Sequence, residues 1–402
     1  MARLAPGTFA LTILLGILTA LGPLSTDLYL PSLPAIARYF EVSSGQAQLT
    51  LSAYLIGYGI GLPLYGPLSD RQGRKKVLMA GLILYGVANA LSSLAPSLEV
   101  LIASRLLQGL GAAGPLVIVR AIVRDLYEGR RAAQELARMG SIMGVVPAIA
   151  PVLGVLLELG FGWRANFVGT SLLAIGLALW AAAKLPETLT ERLLAPFSLR
   201  VVLGGFAGLL TDRRFLPFGL MASATYTGLF AFISGSSFIY QLHFGVTPFA
   251  FALAFVLMVT GYIGGSYVSQ RLAMRHEPRR LLLAGALLQA GGGLLMLAAV
   301  LALPPGPWAI TLPMMLYSAG VGFSLPQSMA AAMLPFPERA GAVSSLLGIF
   351  QTGFAAIVGT IVGAFIDRGP LVLAGTIALF GCVALAIYPF IRQVLTAKQA
   401  TE

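Results

Sequence analysis

Residues 281–303 read LLLAGALLQAGGGLLMLAAVLAL, 23 residues with one polar side chain, Gln289, and no charge. An α-helix needs about 20 mainly apolar residues to cross the ~30 Å hydrocarbon core of a bilayer. The run is long enough for such a helix. It is also too continuously apolar for a membrane β-barrel, whose strands show ~10-residue segments of alternating hydropathy. It therefore predicts a membrane-spanning helix.

Comparable runs recur along the chain and predict twelve spanning helices, an all-α integral membrane protein. The predicted spans are residues 8–30, 46–68, 77–95, 98–122, 139–161, 164–183, 215–239, 247–269, 281–303, 308–333, 342–366 and 371–391. The longest connection predicts a cytoplasmic linker over 185–214, between six-helix bundles at 1–184 and 215–402. The loop GPLSDRQGRKK after the second span has a degraded counterpart after the eighth, which favours two pseudo-symmetric halves, a common transporter plan.

Composition excludes several protein classes. Hydrophobic residues make up 57% of the 402 residues and charged residues 10%, whereas soluble domains carry about 25% charged residues. This excludes a soluble cytosolic enzyme and a disordered chain. The single cysteine, Cys382, excludes a disulfide scaffold.

The basic residues predict the orientation in the membrane. If both termini are cytoplasmic, 21 of the 26 Lys and Arg residues fall in cytoplasmic segments and three in outer loops. Arg105 and Arg120 lie inside predicted helices. Because cytoplasmic loops of membrane proteins are enriched in Lys and Arg, we expect a multi-pass protein with cytoplasmic termini. This asymmetry explains the net charge of +11 without a nucleic-acid partner.

Two charges lie at bilayer depth, where ionisable side chains are costly and point to function. Asp27 is the one acid well inside an apolar run. It is either a proton carrier or a solvated residue at a helix end beside Pro31 and Pro34. Arg105 either influences Asp27 or contacts substrate, or it extends to the outer interface as long basic side chains do.

Catalytic and metal-binding patterns are missing from the sequence. Both histidines, His243 and His276, fall in predicted loops, and no metal-ligand spacing, phosphate-binding loop or nucleophile motif is present. We therefore expect no metal, no cofactor and no enzymatic activity. A membrane enzyme would need clustered polar groups at one depth, and only Asp27 and Arg105 qualify. A passive channel would need a filter-like loop, which the sequence lacks.

Two further patterns are open to two interpretations each. The fifth predicted span interleaves glycines with Pro147 and Pro151, which fits a bendable helix at a moving interface or ordinary packing of membrane helices. Aromatic pairs four residues apart occur in the second span, at Tyr54 and Tyr58, and in the seventh, at Tyr226 and Phe230. They either line an amphipathic cavity or pack against lipid and neighbouring helices.

Several motifs resemble the major facilitator superfamily. Residues 66–76, GPLSDRQGRKK, match the family motif G-x-L-x-D-R-x-G-R-[RK]-x between its second and third helices. Residues 105–111, RLLQGLG, resemble R-x-x-Q-G-x-G of the fourth helix. The fifth span resembles the antiporter motif G-x-x-x-G-P-x-x-G-G, but Val145 replaces its proline. Residues 185–189, LPETL, resemble the exit from the sixth helix.

The chain is similar over its whole length to the bicyclomycin-resistance (Bcr/CflA) subfamily of drug:proton antiporters. Residues 26–36, TDLYLPSLPAI, match the subfamily pattern T-D-x-Y-L-P-x-L-P-x-I. Residues 120–127, RAIVRDLY, end the fourth predicted span as in that subfamily. Glu338-Arg339-Ala340-Gly341, with Ser344 and Gln351, fits it in the second half.

The resemblance implies an antiporter that exports small amphipathic drugs through the bacterial inner membrane by alternating access, driven by protons, as a monomer among membrane lipids. Export of a cell-made metabolite such as a sugar or amino-acid derivative is the alternative.

The resemblance also implies site residues. The implied proton-coupling residues are Asp27 and Arg105. The implied gating motif contains Gly66, Asp70, Arg71, Gly73, Arg74 and Asp125, with Arg74 opposite Asp125 and Asp70 at a helix N-terminus of the other half. The candidate substrate cavity contains Tyr29, Tyr54, Tyr226, Phe230 and Phe354. The antiporter-motif helix contains Gly140, Gly144, Pro147, Pro151 and Gly154.

Overall fold

The computed structural model describes residues 4–193 and 199–399, and these are helical with no β-strand. The helices are α1 (Phe9–Asp27), α2 (Leu33–Tyr39), α3 (Ser44–Gln72), α4 (Arg74–Ser93), α5 (Leu98–Leu126), α6 (Gly129–Phe161), α7 (Arg164–Lys184), α8 (Leu199–Leu210), α9 (Leu216–Phe238), α10 (Pro248–Ala273), α11 (Pro278–Ala302), α12 (Trp308–Met333), α13 (Ala340–Phe365) and α14 (Pro370–Gln399). Short 3₁₀ turns join several of them, and a π-helical turn, Ile239–His243, extends α9.

Helix length and composition agree with the predicted membrane architecture. Within the described ranges, eleven helical segments are long and apolar enough to cross a membrane. The second predicted span corresponds to α3, which has 29 residues and is therefore long enough to cross. It is not among these eleven segments, and its central part carries Tyr54, Tyr58 and Tyr65 together with several glycines and two prolines. The all-α fold class is confirmed.

Several helices continue beyond the predicted spans. Helix α6 begins at Gly129, ten residues before the predicted start at 139, and α14 continues to Gln399. The ten added residues of α6, 129–138, include three arginines, so hydropathy marks the membrane boundary there and not the end of the helix. Conversely, α1 ends at Asp27, before the predicted limit at 30, and a 3₁₀ turn containing Pro31 follows. Proline disfavours helical geometry in the residue before it.

The chain divides into two compact units. One contains Met1–Val42 and Leu49–Ser198, and the other contains Ser43–Gln48 and Leu199–Glu402. The main division falls inside the predicted linker, 185–214. Residues 194–198 of that linker lie outside the described residues, as do Arg3 at the N-terminus and residues 400–402 at the C-terminus.

Glycines set the helix crossings of the first unit. A Cβ added at Gly57 of α3 would lie 1.9 Å from the carbonyl oxygen of Leu106, and one at Gly109 of α5 would lie 2.0 Å from that of Tyr54. The backbones of α3 and α5 therefore touch, as small residues allow in membrane helices. One at Gly154 of α6 would lie 1.9 Å from the Leu28 carbonyl oxygen, so α6 crosses the chain directly after Asp27.

In the second unit, α9 packs against α12, α13 and α14, and α11 packs against α12 and α14. An apolar cluster includes Phe215, Phe218 and Leu347, all at most 2% exposed. Helix α8, within the predicted linker, adds Phe206 and Leu209 to this cluster. The predicted linker thus contains a helix that packs onto the second unit.

Candidate functional site

Asp27 is the last residue of α1 and is buried, with 4% of its surface exposed. Its Oδ1 accepts a hydrogen bond from the Thr26 hydroxyl at 3.0 Å. Among the described residues, no ion pair involves Asp27. The expectation of a helix-end position is therefore met, but the interpretation as a solvated residue is wrong, because α6 covers the chain beside it at Gly154.

Arg105 is fully buried on α5, so the interpretation that it extends to the outer interface is wrong. Its Nη1 donates to Gln108 Oε1 at 2.7 Å and to the Ser25 carbonyl oxygen at 3.2 Å. Its guanidinium lies 4.6 Å from the ring centroid of Tyr29 and 4.5 Å from that of Tyr54. A buried guanidinium keeps its charge, and here neutral acceptors and aromatic faces stabilise it.

A polar network continues from Arg105 through the first unit. Gln108 Nε2 donates to Asn89 Oδ1 at 2.7 Å, and the Thr170 hydroxyl lies 2.6 Å from the same oxygen. The Tyr85 hydroxyl lies 2.7 Å from the Ser25 hydroxyl, on the last turn of α1. Sequence reasoning missed Asn89, Thr170, Ser25 and Tyr85 as members of this site. Their signal is weak, since a single polar residue in an apolar helix is common.

The candidate cavity aromatics occupy different environments. In the first unit, Tyr29 and Tyr54 are buried against Arg105, and their hydroxyls lie 2.6 Å from the Thr50 hydroxyl and 3.0 Å from the Gly22 carbonyl oxygen, respectively. In the second unit, Tyr226 stacks on Phe230 with ring centroids 6.2 Å apart, and Phe230 is buried. Phe354 is 43% exposed and contacts Phe350 edge to face. Tyr29 and Tyr54 thus serve to enclose Arg105.

The structure brings the charged residues of the gating motif together. Arg74, the first residue of α4, donates from Nε to Asp125 Oδ2 at 2.9 Å, and its Nη1 pairs with Asp70 and donates to the Ser69 hydroxyl at 2.7 Å. Gly73 has φ of +103°, a conformation that favours glycine, and separates α3 from α4. The remaining motif residues lie on α3: Arg71 donates to the Pro67 carbonyl oxygen at 2.7 Å, and Gly66 lies near Val117.

The segment after α7, residues 185–193, forms hydrogen bonds with this motif, and we call it the strap. The sequence did not predict these contacts. The Glu187 carboxylate accepts hydrogen bonds from the backbone N–H groups of Arg74 and Lys75, at 2.8 and 3.2 Å. A carboxylate at a helix N-terminus satisfies free N–H groups and interacts favourably with the helix dipole. The neighbouring Thr188 hydroxyl donates to Asp125 Oδ2 at 3.0 Å. The motif, the end of α5 and the strap therefore form one polar cluster.

The glycines of the antiporter-motif helix differ in their surroundings. A Cβ at Gly140 or Gly144 would meet nothing within 4 Å, whereas Gly154 is in backbone contact with Leu28. Pro147 and Pro151 lie within α6 between these positions. The space around Gly140 and Gly144, which match the motif, is open. The close helix crossing is made at Gly154, which lies outside the matching part.

A search of protein families matches residues 15–360 to the Major Facilitator Superfamily model. The chain belongs to the major facilitator superfamily.

Curated relatives of this transporter support its membership of the superfamily. It is 34% identical to an uncharacterized MFS-type transporter, YdgK, of Bacillus subtilis, over 92% of this chain and 95% of that protein. It is 30% identical to multidrug resistance protein D of Escherichia coli, over 85% of both chains. It is 30% identical to a chloramphenicol resistance protein of Pseudomonas aeruginosa, over 89% of this chain and 85% of the relative. The similarity to the drug-resistance group within the superfamily is confirmed.

A solved structure supports the fold. The crystal structure of a bacterial homologue of the human lysosomal transporter Spinster, in an inward-facing and occupied conformation, aligns with a TM-score of 0.70. The alignment covers 96% of this transporter and 94% of that chain at 17% identity. At this identity the likeness shows a shared fold. The family match, the bacterial relatives and the membrane-spanning helices together make the protein a multi-pass membrane transporter of a bacterial transporter family.

Proposed function

We propose that the transporter is a proton-coupled antiporter that exports small amphipathic drugs across the bacterial inner membrane by alternating access. The observation that carries this proposal is a buried carboxyl group, Asp27, that has no ion pair among the described residues. Arg105 lies against the residues on either side of it, Ser25 and Tyr29.

An ionised carboxylate without a partner is costly to bury. A proton is therefore expected to accompany Asp27 while the site is enclosed, and to leave when water reaches the carboxyl group. Thr26 supplies a single neutral hydrogen bond at 3.0 Å, which does not replace a counter-charge. Arg105 is held by other groups and adds a fixed positive charge nearby. Exchange of a proton for a drug molecule at this site would couple the two fluxes.

The relatives named for multidrug and chloramphenicol resistance support drugs as substrates. Tyr29, Tyr54, Tyr226, Phe230 and Phe354 are the aromatic candidates for substrate contacts. Aromatic side chains with a polar edge suit amphipathic molecules because they offer both apolar area and a hydrogen bond. The transporter is proposed to act as a monomer, without a cofactor.

The orientation and the latch are part of the same proposal. The excess of Lys and Arg in alternate loops favours cytoplasmic termini. The cluster of Asp70, Arg74 and Asp125 then lies on the cytoplasmic side, where it would latch the outward-facing state and open during the transport cycle.

Inverted membrane vesicles test the proposal. The vesicles are energised so that their lumen acidifies, drugs of unrelated structure are added, and dissipation of the pH gradient is measured with wild type, Asp27→Asn and the control Glu99→Gln. Glu99 is an exposed acid at the start of α5. We expect several drugs to dissipate the gradient with wild type and Glu99→Gln but not with Asp27→Asn.

Other outcomes contradict parts of the proposal. A response that persists in Asp27→Asn would remove Asp27 as the proton carrier. A response to one class of polar metabolite and to no drug would favour the alternative, a metabolite exporter of the same fold.

A further inference from the structure

A second carboxyl group of the first unit, that of Glu158, lies among buried polar side chains. Glu158 is near the end of α6 and is partly buried. Its Oε2 accepts a hydrogen bond from the Ser32 hydroxyl at 2.7 Å, and the same hydroxyl oxygen accepts one from Asn166 Nδ2 at 2.9 Å. Ser32 is fully buried and Asn166 is 1% exposed. Three elements, α6, α7 and the 3₁₀ turn after α1, therefore meet at this chain of hydrogen bonds.

The hydrogen bonds of Asn166, Ser32 and Glu158 all donate in one direction, toward Glu158. A serine hydroxyl carries one proton, so while Ser32 donates it to Glu158, Ser32 can only accept a hydrogen bond from Asn166. In this arrangement Glu158 is an acceptor at Oε2. The side-chain oxygen of Asn166, Oδ1, is buried and has no hydrogen-bond partner. Buried polar atoms without partners are rare and costly in folded proteins.

The unpartnered oxygen is the acceptor that the opposite direction requires. If Glu158 takes up a proton, its O–H can donate to the Ser32 hydroxyl oxygen, and the Ser32 proton then needs a new acceptor. The Asn166 amide can supply Oδ1 by turning about its terminal torsion, which exchanges its N–H₂ and carbonyl groups. We infer that Glu158, Ser32 and Asn166 form a second proton-binding site, in which protonation of Glu158 reverses this hydrogen-bond chain.

The site lies beside the candidate coupling site. Gly154, one turn before Glu158 on α6, touches the carbonyl oxygen of Leu28, the residue after Asp27. Ser32 follows Asp27 by five residues in the chain. Arg38 on α2 interacts electrostatically with Glu158. The helices packed against α6 carry these further charged groups: Asp27 on α1; Glu99, Arg105, Arg120, Arg124 and Asp125 on α5; and Arg164 and Lys184 on α7.

Hydrogen bonds also connect this site with Arg105. The Thr170 hydroxyl lies 2.9 Å from the backbone oxygen of Asn166 and 2.6 Å from Asn89 Oδ1. Asn89 and Gln108 then lead to Arg105. A proton bound at Glu158 thus changes hydrogen bonding at Asn166, on the edge of the network that holds Arg105. Use of this site in transport rests on the proposed proton coupling, whereas proton binding at Glu158 does not.

Infrared difference spectroscopy of the purified transporter in lipid tests proton binding directly. The carbonyl stretch of protonated carboxylic acids is followed across pH for wild type, Glu158→Gln, Asn166→Leu and the control Glu99→Gln. We expect Glu158→Gln to remove one titrating signal. Asn166→Leu should weaken proton binding at Glu158 about tenfold, because the reversed chain loses its final acceptor. Glu99→Gln should leave the Glu158 signal at its wild-type midpoint.

Two results would overturn the inference: a spectrum of Glu158→Gln that lacks no titrating signal, or an unchanged midpoint in Asn166→Leu. Glutamine keeps an acceptor for Ser32, so Glu158→Gln is expected to fold, and its thermal unfolding is measured in parallel. Dissipation of the pH gradient in the vesicle assay tests the proposed function and is a measurement separate from the Glu158 titration. Loss of proton coupling there with an intact Glu158 titration would reject the proposed function and leave the proton-binding site standing.

Discussion

Arg105 lies against both sides of Asp27 without pairing with its carboxylate. Its Nη1 donates to the Ser25 carbonyl oxygen at 3.2 Å, two residues before Asp27, and its guanidinium lies 4.6 Å from the Tyr29 ring, two residues after it. The guanidinium therefore contacts the residues around the carboxyl group and does not neutralise it. In the proposed mechanism, this leaves the Asp27 carboxyl group available for a proton. An ion pair would instead have neutralised Asp27 with Arg105.

Arg105→Lys tests whether the shape of the guanidinium matters as well as its charge. Lysine keeps the positive charge but lacks the planar guanidinium. That group donates from Nη1 to Gln108 and Ser25 and from Nε to the Thr50 carbonyl oxygen at 3.4 Å, while it lies over the Tyr29 ring. We expect export in the vesicle assay to fall by roughly tenfold or more, which corresponds to the order of one hydrogen bond to a charged group. Thermal unfolding separates this effect from loss of the fold.

Arg138→Lys is the matched control for that substitution. Arg138 pairs with Glu135 at 3.3 Å; the Arg138 side chain is 63% exposed, whereas that of Glu135 is 3% exposed. Lysine keeps a positive charge beside this buried carboxylate, so we expect Arg138→Lys to retain export. Equal losses of export in both lysine variants would contradict a specific role for the Arg105 guanidinium.

The sequence predicts the membrane architecture well because hydropathy reports directly on which segments enter the bilayer. It predicts less about helix ends, since the arginine-rich start of α6 continues as a helix before the predicted span. The pairing of Arg74 with Asp125 was expected from the family motif, and the structure places these side chains 2.9 Å apart.

The surroundings of the buried charges were beyond sequence reasoning. Arg105 takes its partners from α1, α3 and its own helix, α5, and no spacing in the sequence encodes such tertiary contacts. Glu158 lies near the end of α6. Its hydrogen bond to Ser32 joins residues 126 positions apart, which only the packing of α6 could bring together.

Gly154→Ala tests the close crossing beside Asp27. An added Cβ would lie 1.9 Å from the Leu28 carbonyl oxygen, so α6 must move away from the end of α1. Overpacking of this kind costs about 1–3 kcal/mol. We expect a lower thermal unfolding temperature and impaired export. The control on the same helix is Gly144→Ala, where the space is open. Because alanine favours the helix over glycine, its unfolding temperature should not fall, and its export should be retained. Equal effects of the two substitutions would show that α6 responds only to helix propensity.

Glu187→Ala tests the strap across the gating motif. The substitution leaves the backbone N–H groups of Arg74 and Lys75 without their carboxylate, and loss of a helix N-cap costs about 1 kcal/mol. We expect a lower free energy of unfolding and slower export, because Arg74 then loses its fixed position opposite Asp125. Glu191→Ala, which changes an exposed acid on the same segment, should leave both at wild-type values. A Glu187→Ala transporter with normal unfolding and export would contradict a role for the strap.

Asp70→Asn tests whether the motif acts in gating or in binding. Asp70 is partly exposed and pairs with Arg74, which keeps its second carboxylate, Asp125, in the variant. The fold should therefore survive, because the buried Arg74 guanidinium still has a carboxylate partner. If the cluster latches one state of the transport cycle, its weakening should slow turnover while the drug concentration for half-maximal export changes little. Both quantities come from the drug dependence of gradient dissipation in inverted vesicles. A large rise in that concentration with normal maximal export would place Asp70 in substrate binding and reject the latch.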